Sequence, residues 1–373
     1  MIPQSNPKAG YLAHKAEIDA AIARVLHSGW YILGDEVRAF EREFASELGA
    51  SWSVGVANGT DAVELALRAC GVATGEAVLT VSHTAVATVA AITRIGAYPL
   101  FVDIDPLRYT MAPESLRTVL ETPQGAAAKA VMVVHLYGQP ADMPQILSIA
   151  REHKLPVIED CAQAHGAAIK ARRVGTWGEM GCFSFYPTKN LGALGDGGAL
   201  IGNDSAREKQ VRLLREYGWL TRYVSESFGL NSRLDELQAA VLRVKLSYLD
   251  QENARRQSIA RQYDEALDGL PLMRPTRFKD CNHVFHQYVV GIDDRDTLRA
   301  TLRTQSVDTL IHYPLAVHQQ PAYSNPAWRP IALPHTESTV RRILSLPMYP
   351  ELSDEQVCQV GETFRRILSG ARM

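Results

Sequence analysis

Apolar residues recur along this chain in two rhythms that take turns. Runs at residues 77–81, 98–103, 128–134, 156–159, 181–185 and 198–201 are almost unbroken by polar side chains and predict strands. Segments 85–95, 113–121 and 143–153 between them repeat their apolar positions with the helical period. Strands that are apolar throughout, rather than alternating, suit parallel pairing with both faces covered. Strand–helix repetition of this kind implies a doubly wound α/β domain with right-handed crossovers.

The flanks extend the pattern. Residues 17–26 put Ile18, Ala21, Ile22, Val25 and Leu26 on one helical face, and Ser28-Gly29 ends it. Trp30-Tyr-Ile-Leu-Gly34 follows, a loop whose large apolar groups make sense when buried against a second subunit. A second amphipathic helix over 37–48 turns Phe40 and Phe44 inward. Segments 206–217, 234–249 and 252–267 are also helical in pattern. Beyond about residue 270 the composition shifts, with strands expected at 284–290 and 307–311 and helices at 295–305 and 355–368. The 373 residues exceed one ordinary core. The expected division is a large α/β domain over 1–250 and a small α+β domain over 251–373.

Composition narrows the function. Hydrophobic residues make up 46% and charged residues 21%, ordinary for a soluble globular protein. A formal net charge of −2 argues against a broad nucleic-acid footprint. The five cysteines form no Cys-x-x-Cys pair, which argues against a disulfide framework or a zinc site. Cys70, Cys161 and Cys182 read as buried small hydrophobes. No apolar run reaches the roughly 18 residues of a membrane helix, and the amino terminus has no apolar signal core. The cytoplasm is the expected compartment.

The candidate chemistry sits where apolar runs break into polar residues, at Val157-Ile-Glu-Asp-Cys-Ala-Gln163 and Phe183-Ser-Phe-Tyr-Pro-Thr-Lys189. Ligands of open parallel sheets bind outside the carboxyl ends of the strands, so Asp160, Gln163, Ser184 and Lys189 are candidates to share one crevice. Asp160 reads either as a cap of the next segment or as the partner of a buried cation. Lys189 reads either as a surface lysine or as an amine made nucleophilic by desolvation. Four glycines between residues 190 and 198 permit close approach of a ligand. An acid for a protonated ring nitrogen and a lysine for an aldehyde together make the protein half of a pyridoxal phosphate site. Asn58-Gly-Thr-Asp61 opens an amphipathic helix, and Asp61 and Glu64 have capping-box spacing. Its start is also a phosphate-binding geometry, with Gly59, Thr60 and Ser184 as donors. His283 and His286 sit at the start of the strand expected over 284–290, where they would face opposite sides, so no metal site is expected. His312, Tyr313 and His318 fit a cleft and a packed turn equally.

Glu159-Asp-Cys-Ala-Gln-Ala-His-Gly166, Phe183-Ser-Phe-Tyr-Pro-Thr-Lys-Asn-Leu191, Gly195-Asp-Gly-Gly198 and Gly229-Leu-Asn-Ser-Arg-Leu-Asp235 together resemble the pyridoxal phosphate-dependent nucleotide-sugar aminotransferases of the DegT/DnrJ type. The resemblance runs through almost the whole chain. It implies the fold-type I aspartate aminotransferase architecture, a large, mostly parallel sheet domain with a smaller α+β domain. It implies that Lys189 holds the cofactor covalently and shuttles a proton when freed. Asp160 would pair with the ring nitrogen, and Gln163 would sit by the ring oxygen. Gly59, Thr60 and Ser184 would take the phosphate. Asn231 and Arg233 match an Asn-x-Arg motif that the partner of a homodimer contributes, and Tyr31, Tyr217, Tyr223, His312, Tyr313 and His318 would lie near substrate.

The implied reaction moves an amino group from glutamate to a nucleotide-linked keto-sugar, with carbon 3 of a dTDP-3-keto-6-deoxyhexose the best match. A carbon-4 keto-sugar, an inosose, or a non-catalytic regulator of the same fold are the alternatives. Relatives that dehydrate replace the lysine by histidine, and this chain keeps Lys189. One position departs from the family: Ala85 stands where an aromatic residue usually covers the cofactor ring, which makes His83 the candidate substitute.

Overall fold

The computed structural model describes residues 1–369. Its centre is a seven-stranded sheet of β1 (Trp52–Val56), β2 (Ala77–Val81), β3 (Tyr98–Val102), β4 (Ala130–Val134), β5 (Val157–Asp160), β6 (Met180–Ser184) and β7 (Gly198–Gly202). The spatial order is β1-β7-β6-β5-β4-β2-β3. Neighbours from β3 to β6 pair in parallel, and β7 alone runs against its neighbours β6 and β1. Ile158, Met180, Cys182 and Leu200 pack on one side of the sheet, and Leu79, Val102, Val131 and Val133 on the other side or edge. Burial on both faces is why these strands carry no alternation.

Two features of the sheet differ from the expectation. β1 reads poorly as a strand because Ser53 and Gly55 interrupt it, yet all five residues are buried between neighbours. β7 has the apolar wording of its neighbours but returns antiparallel, through the tight glycine-rich loop after Lys189.

A separate buried cluster gathers Ile259, Tyr263, Tyr288, Leu302, Leu344, Val357 and Phe364 from the carboxyl-terminal part, with Ile2 from the amino terminus. Here the strand readings need correction. The strand is Tyr288–Gly291, not 284–290, because Phe285 takes a positive φ of 43° and bends the chain before it. His283 and His286 are therefore not alternating strand residues: His283 stacks on Phe285, and His286 bonds Asn190. Residues 307–311 form only isolated bridges, Val307 to Ile2 and Leu310 to Ser345. The helix expected over 206–217 ends at Leu214, where Tyr217 adopts φ 58° and donates its N–H to Leu230. The long helical stretch resolves into Glu236–Leu246 and Leu249–Ala266. Cys70 is half-buried rather than buried. No helix among the described residues is long and apolar enough to cross a membrane.

Candidate active site

Sheet register builds the site. Val56 pairs with Gly198, and Gly198 with Ser184, so the ends of three strands lie side by side. The Gly59–Ala69 helix starts directly above them. Asn58 caps it by accepting the N–H of Asp61 at 2.8 Å, which corrects the capping-box reading of Asp61 and Glu64. The N–H groups of Gly59 and Thr60 are in the first turn, where no intrahelical acceptor exists. A Cβ on Gly59 would come within 2.6 Å of Ser184 Cβ, and one on Gly198 within 2.4 Å of the Asn58 carbonyl. Glycine at both positions is a requirement of this close approach.

A cavity of about 250 Å³ opens at these strand ends. Gly59, Thr60, Asp160, Gln163, Ser184 and Lys189 all line it. Asp160, the last residue of β5, accepts from Thr88 Oγ1 at 2.7 Å and from the Ala162 N–H at 3.1 Å. Gln163 accepts the Tyr137 N–H at 2.8 Å and donates to the Tyr313 hydroxyl at 3.1 Å. Glu159 projects from the other side of β5, as the pleat requires. It accepts from the N–H groups of Gly175, Trp177 and Gly178 at 2.7 Å each and lies 3.0 Å from His135 Nε2. His135, Glu159 and Cys161 form a buried trio with atoms close enough to share an ion. His135 Nδ1 already accepts the Ala141 N–H, so the nitrogen and the Glu159 carboxylate are spent on internal hydrogen bonds.

Lys189 is partly buried at the cavity wall, at the end of a turn closed by its own N–H to the Tyr186 carbonyl. Desolvation lowers its pKa to about 8, against the opposing pull of Asp160. Burial, and then the Lys189 charge, pushes His165 down to about 3 and His312 down to about 4. These imidazoles stay neutral and add no cation beside the lysine. Asn190 next to it is anchored through Asn253, the Val284 carbonyl and His286. That anchorage ties the lysine loop to the Leu249–Ala266 helix.

The remaining sequence candidates fall elsewhere. Tyr31, Tyr217, Tyr223 and Arg233 line a second, open groove of about 860 Å³ that shares no residue with the first. Asn231 is exposed beside it, bridged to Glu216. Tyr313 reaches the site through Gln163, and His312 lies next to it with Nδ1 on Ser345 Oγ at 2.9 Å. His318 is held between Ser82 and Glu337 and does not line the cavity. His83 does not line it either: its Nε2 meets the Tyr137 hydroxyl at 2.9 Å, and burial pushes it down to about 3. The ring packs among Tyr109 and Tyr137, outside the residues that line the cavity. Thr84, Thr88 and Tyr186 line the cavity and were not singled out from sequence. The i, i+4 spacing of the two threonines at a helix start was the available signal.

The chain is 43% identical over 365 residues to the dTDP-3-amino-3,4,6-trideoxy-alpha-D-glucose transaminase of Streptomyces venezuelae, covering 98% of this chain and 95% of that one. It is 45% identical over 366 residues to the dTDP-3-amino-3,6-dideoxy-alpha-D-galactopyranose transaminase of Aneurinibacillus thermoaerophilus, covering 98% and 99%. The crystal structure of S. venezuelae DesV in complex with a ketimine intermediate superposes with a TM-score of 0.95 at 42% identity, over 100% of this chain and 99% of that one. Residues 13–365 match the model of one family, and the chain belongs to it: the DegT/DnrJ/EryC1/StrS aminotransferase family.

Proposed function

We propose that this protein is a pyridoxal phosphate-dependent aminotransferase that moves an amino group from glutamate to carbon 3 of a dTDP-linked 3-keto-6-deoxyhexose. One observation carries the reading: a partly buried lysine, lowered to about 8, shares a 250 Å³ cavity with a buried aspartate and a glycine-lined helix start. The cofactor fits this donor set. The approach of Gly59 to Ser184 leaves room for a phosphate among two free N–H groups and a hydroxyl. When bound, the cofactor supplies an aldehyde that carries the amino group and a ring that accepts electrons from the substrate carbon.

The chain's own residues would do the rest. Asp160 offers a carboxylate for the protonated ring nitrogen. Gln163 has one amide hydrogen left after Tyr313 for the ring oxygen. Gly59, Thr60 and Ser184 take the phosphate. Lys189 would hold the cofactor covalently through Nζ, and a pKa of about 8 would let the released amine take and return the proton of the substrate carbon close to neutral pH.

Carbon 3 is favoured over carbon 4 because the two transaminases described above carry 3-amino products in their names. A homodimer is part of the same reading. Trp30, Tyr31 and Ile32 stand exposed at 63%, 49% and 42%, an apolar patch that a second copy would cover. The second groove would then bring Tyr31, Tyr217, Tyr223, Asn231 and Arg233 to the partner's cavity. The division at residue 250 is supported by the separate carboxyl-terminal cluster. Five free thiols support a reducing, cytoplasmic setting.

The test is an assay of the purified protein with glutamate and a panel of nucleotide-linked 3-keto and 4-keto sugars and an inosose. Product NMR should locate the new amine at carbon 3. Amine at carbon 4, or on the inosose, overturns the substrate assignment. No turnover by a yellow, cofactor-loaded protein points to the regulator.

A further inference from the structure

We propose that Thr84 and Thr88 form a two-hydroxyl relay that positions the Asp160 carboxylate for the cofactor's ring nitrogen. The inference rests on the reading of Asp160 given above. Thr88 Oγ1 donates to Asp160 Oδ2 at 2.7 Å and lies 3.0 Å from Thr84 Oγ1. A hydroxyl has one hydrogen and two lone pairs. Thr88 gives its hydrogen to the carboxylate, so Thr84 is the donor between the two threonines. The other oxygen, Asp160 Oδ1, takes the N–H of Ala162 at 3.1 Å. Each oxygen is thus tied on one side, and a carboxylate with four acceptor positions keeps the rest for the ring N–H.

The surroundings make the relay effective. Thr84, Thr88 and Asp160 are 2%, 1% and 6% exposed, and hydrogen bonds in series strengthen one another in a dry environment. All three also line the cavity. Thr84 precedes the Val86–Arg94 helix and Thr88 lies in its first turn, whose positive end favours an anion. Their bonding differs from that of Thr93 in the same helix. Thr93 turns its hydroxyl back to the Val89 and Ala90 carbonyls, the ordinary habit of a helical threonine. Thr84 and Thr88 point at each other and at Asp160 instead. They act through the aspartate and are positioning residues.

Thr88→Val keeps the shape and removes the donor. Loss of a hydrogen bond to a charged group should weaken cofactor binding roughly ten- to a hundred-fold. The readouts are the dissociation constant of pyridoxal phosphate by absorbance titration and the pH dependence of the visible band. Thr88→Ser should return the constant to within about two-fold, since the hydroxyl is restored. Thr84→Val should have a smaller effect of the same kind. The double variant should be no worse than Thr88→Val, because Thr84 works only through Thr88. Wild-type affinity in Thr88→Val, or additive losses in the double variant, overturns the relay. If Thr88→Val does not fold, Thr84→Val and Thr88→Ser decide the matter. A wild type that binds no cofactor is a different result, and it overturns the reading of the site rather than the relay.

Discussion

Gln163 joins two distant parts of the chain: its amide nitrogen lies 3.1 Å from the hydroxyl of Tyr313 while its oxygen takes the backbone N–H of Tyr137. Tyr137 sits at φ 60°, a strained position for a bulky residue that needs outside support. Removing the two partners should therefore have unequal effects. Tyr313→Phe loses one hydrogen bond and should cost about 1 kcal/mol. Gln163→Leu leaves a buried N–H without an acceptor and should cost about 2–3 kcal/mol. Urea unfolding of the cofactor-free proteins measures both. Equal losses would mean that the Tyr137 N–H finds another acceptor.

The close approach of Gly59 to Ser184 gives a second prediction. Gly59 is not at positive φ, so alanine there is opposed by space alone. A Cβ 2.6 Å from Ser184 Cβ and 3.1 Å from its Cα must push the helix start away from β6. Gly59→Ala should keep the fold and weaken pyridoxal phosphate at least ten-fold, about 1.4 kcal/mol or more. Ser184→Ala, with the cradle intact and one hydroxyl gone, should weaken it less. Fluorescence titration with the cofactor separates the two. Retention of tight binding by Gly59→Ala would contradict a phosphate position between these residues.

Much of this site can be read in the sequence, and the unread part has a physical cause. Asp160, Ser184 and Lys189 are legible because each closes an apolar run, and strand ends of a parallel sheet fall on one edge. β1 is illegible because Ser53 and Gly55 look like a turn until β7 pairs with them. The Thr88–Asp160 bond spans 72 positions and the Tyr137–Gln163 bond 26, so no local pattern announces them. His83 shows the same limit. Sequence puts it beside the cavity, but its ring packs against Tyr109 and Tyr137, which come from connections after later strands.

Lys189 ties stability to pH. Its pKa is lowered from 10.5 to about 8 by desolvation. Below pH 8 both the folded and the unfolded chain carry the proton, and the folded chain bears the full desolvation cost. From about pH 8 to 10.5 the unfolded chain holds the proton and the folded chain releases it, so stability rises with pH. In cofactor-free protein, Lys189→Met should remove that rise and stabilise the fold at pH 7 by about 1–3 kcal/mol. Denaturant midpoints at pH 7 and pH 9.5 test it. A wild type and a variant with parallel pH profiles would show that Lys189 keeps an ordinary pKa.

The separation of Arg233 from Lys189 yields the last prediction. The two residues line different cavities of one chain, and the proposed homodimer would join them in one site. Lys189→Ala and Arg233→Ala proteins should each be inactive or nearly so when pure. If the protein is the proposed homodimer, mixing under conditions that exchange subunits makes half the dimers hybrids. In a two-fold assembly each hybrid has one site carrying both defects and one carrying neither. Activity should therefore recover to about one quarter of the wild-type level. The proposed interface buries the apolar Trp30–Ile32 loop, so Ile32→Asp in either variant should prevent recovery. Sedimentation should then report monomers, since a buried carboxylate has no partner among these apolar side chains. Absence of recovery in protein that exchanges subunits would place Arg233 outside the partner's site. Recovery close to one quarter would leave the shared site as the only arrangement consistent with two inactive parents.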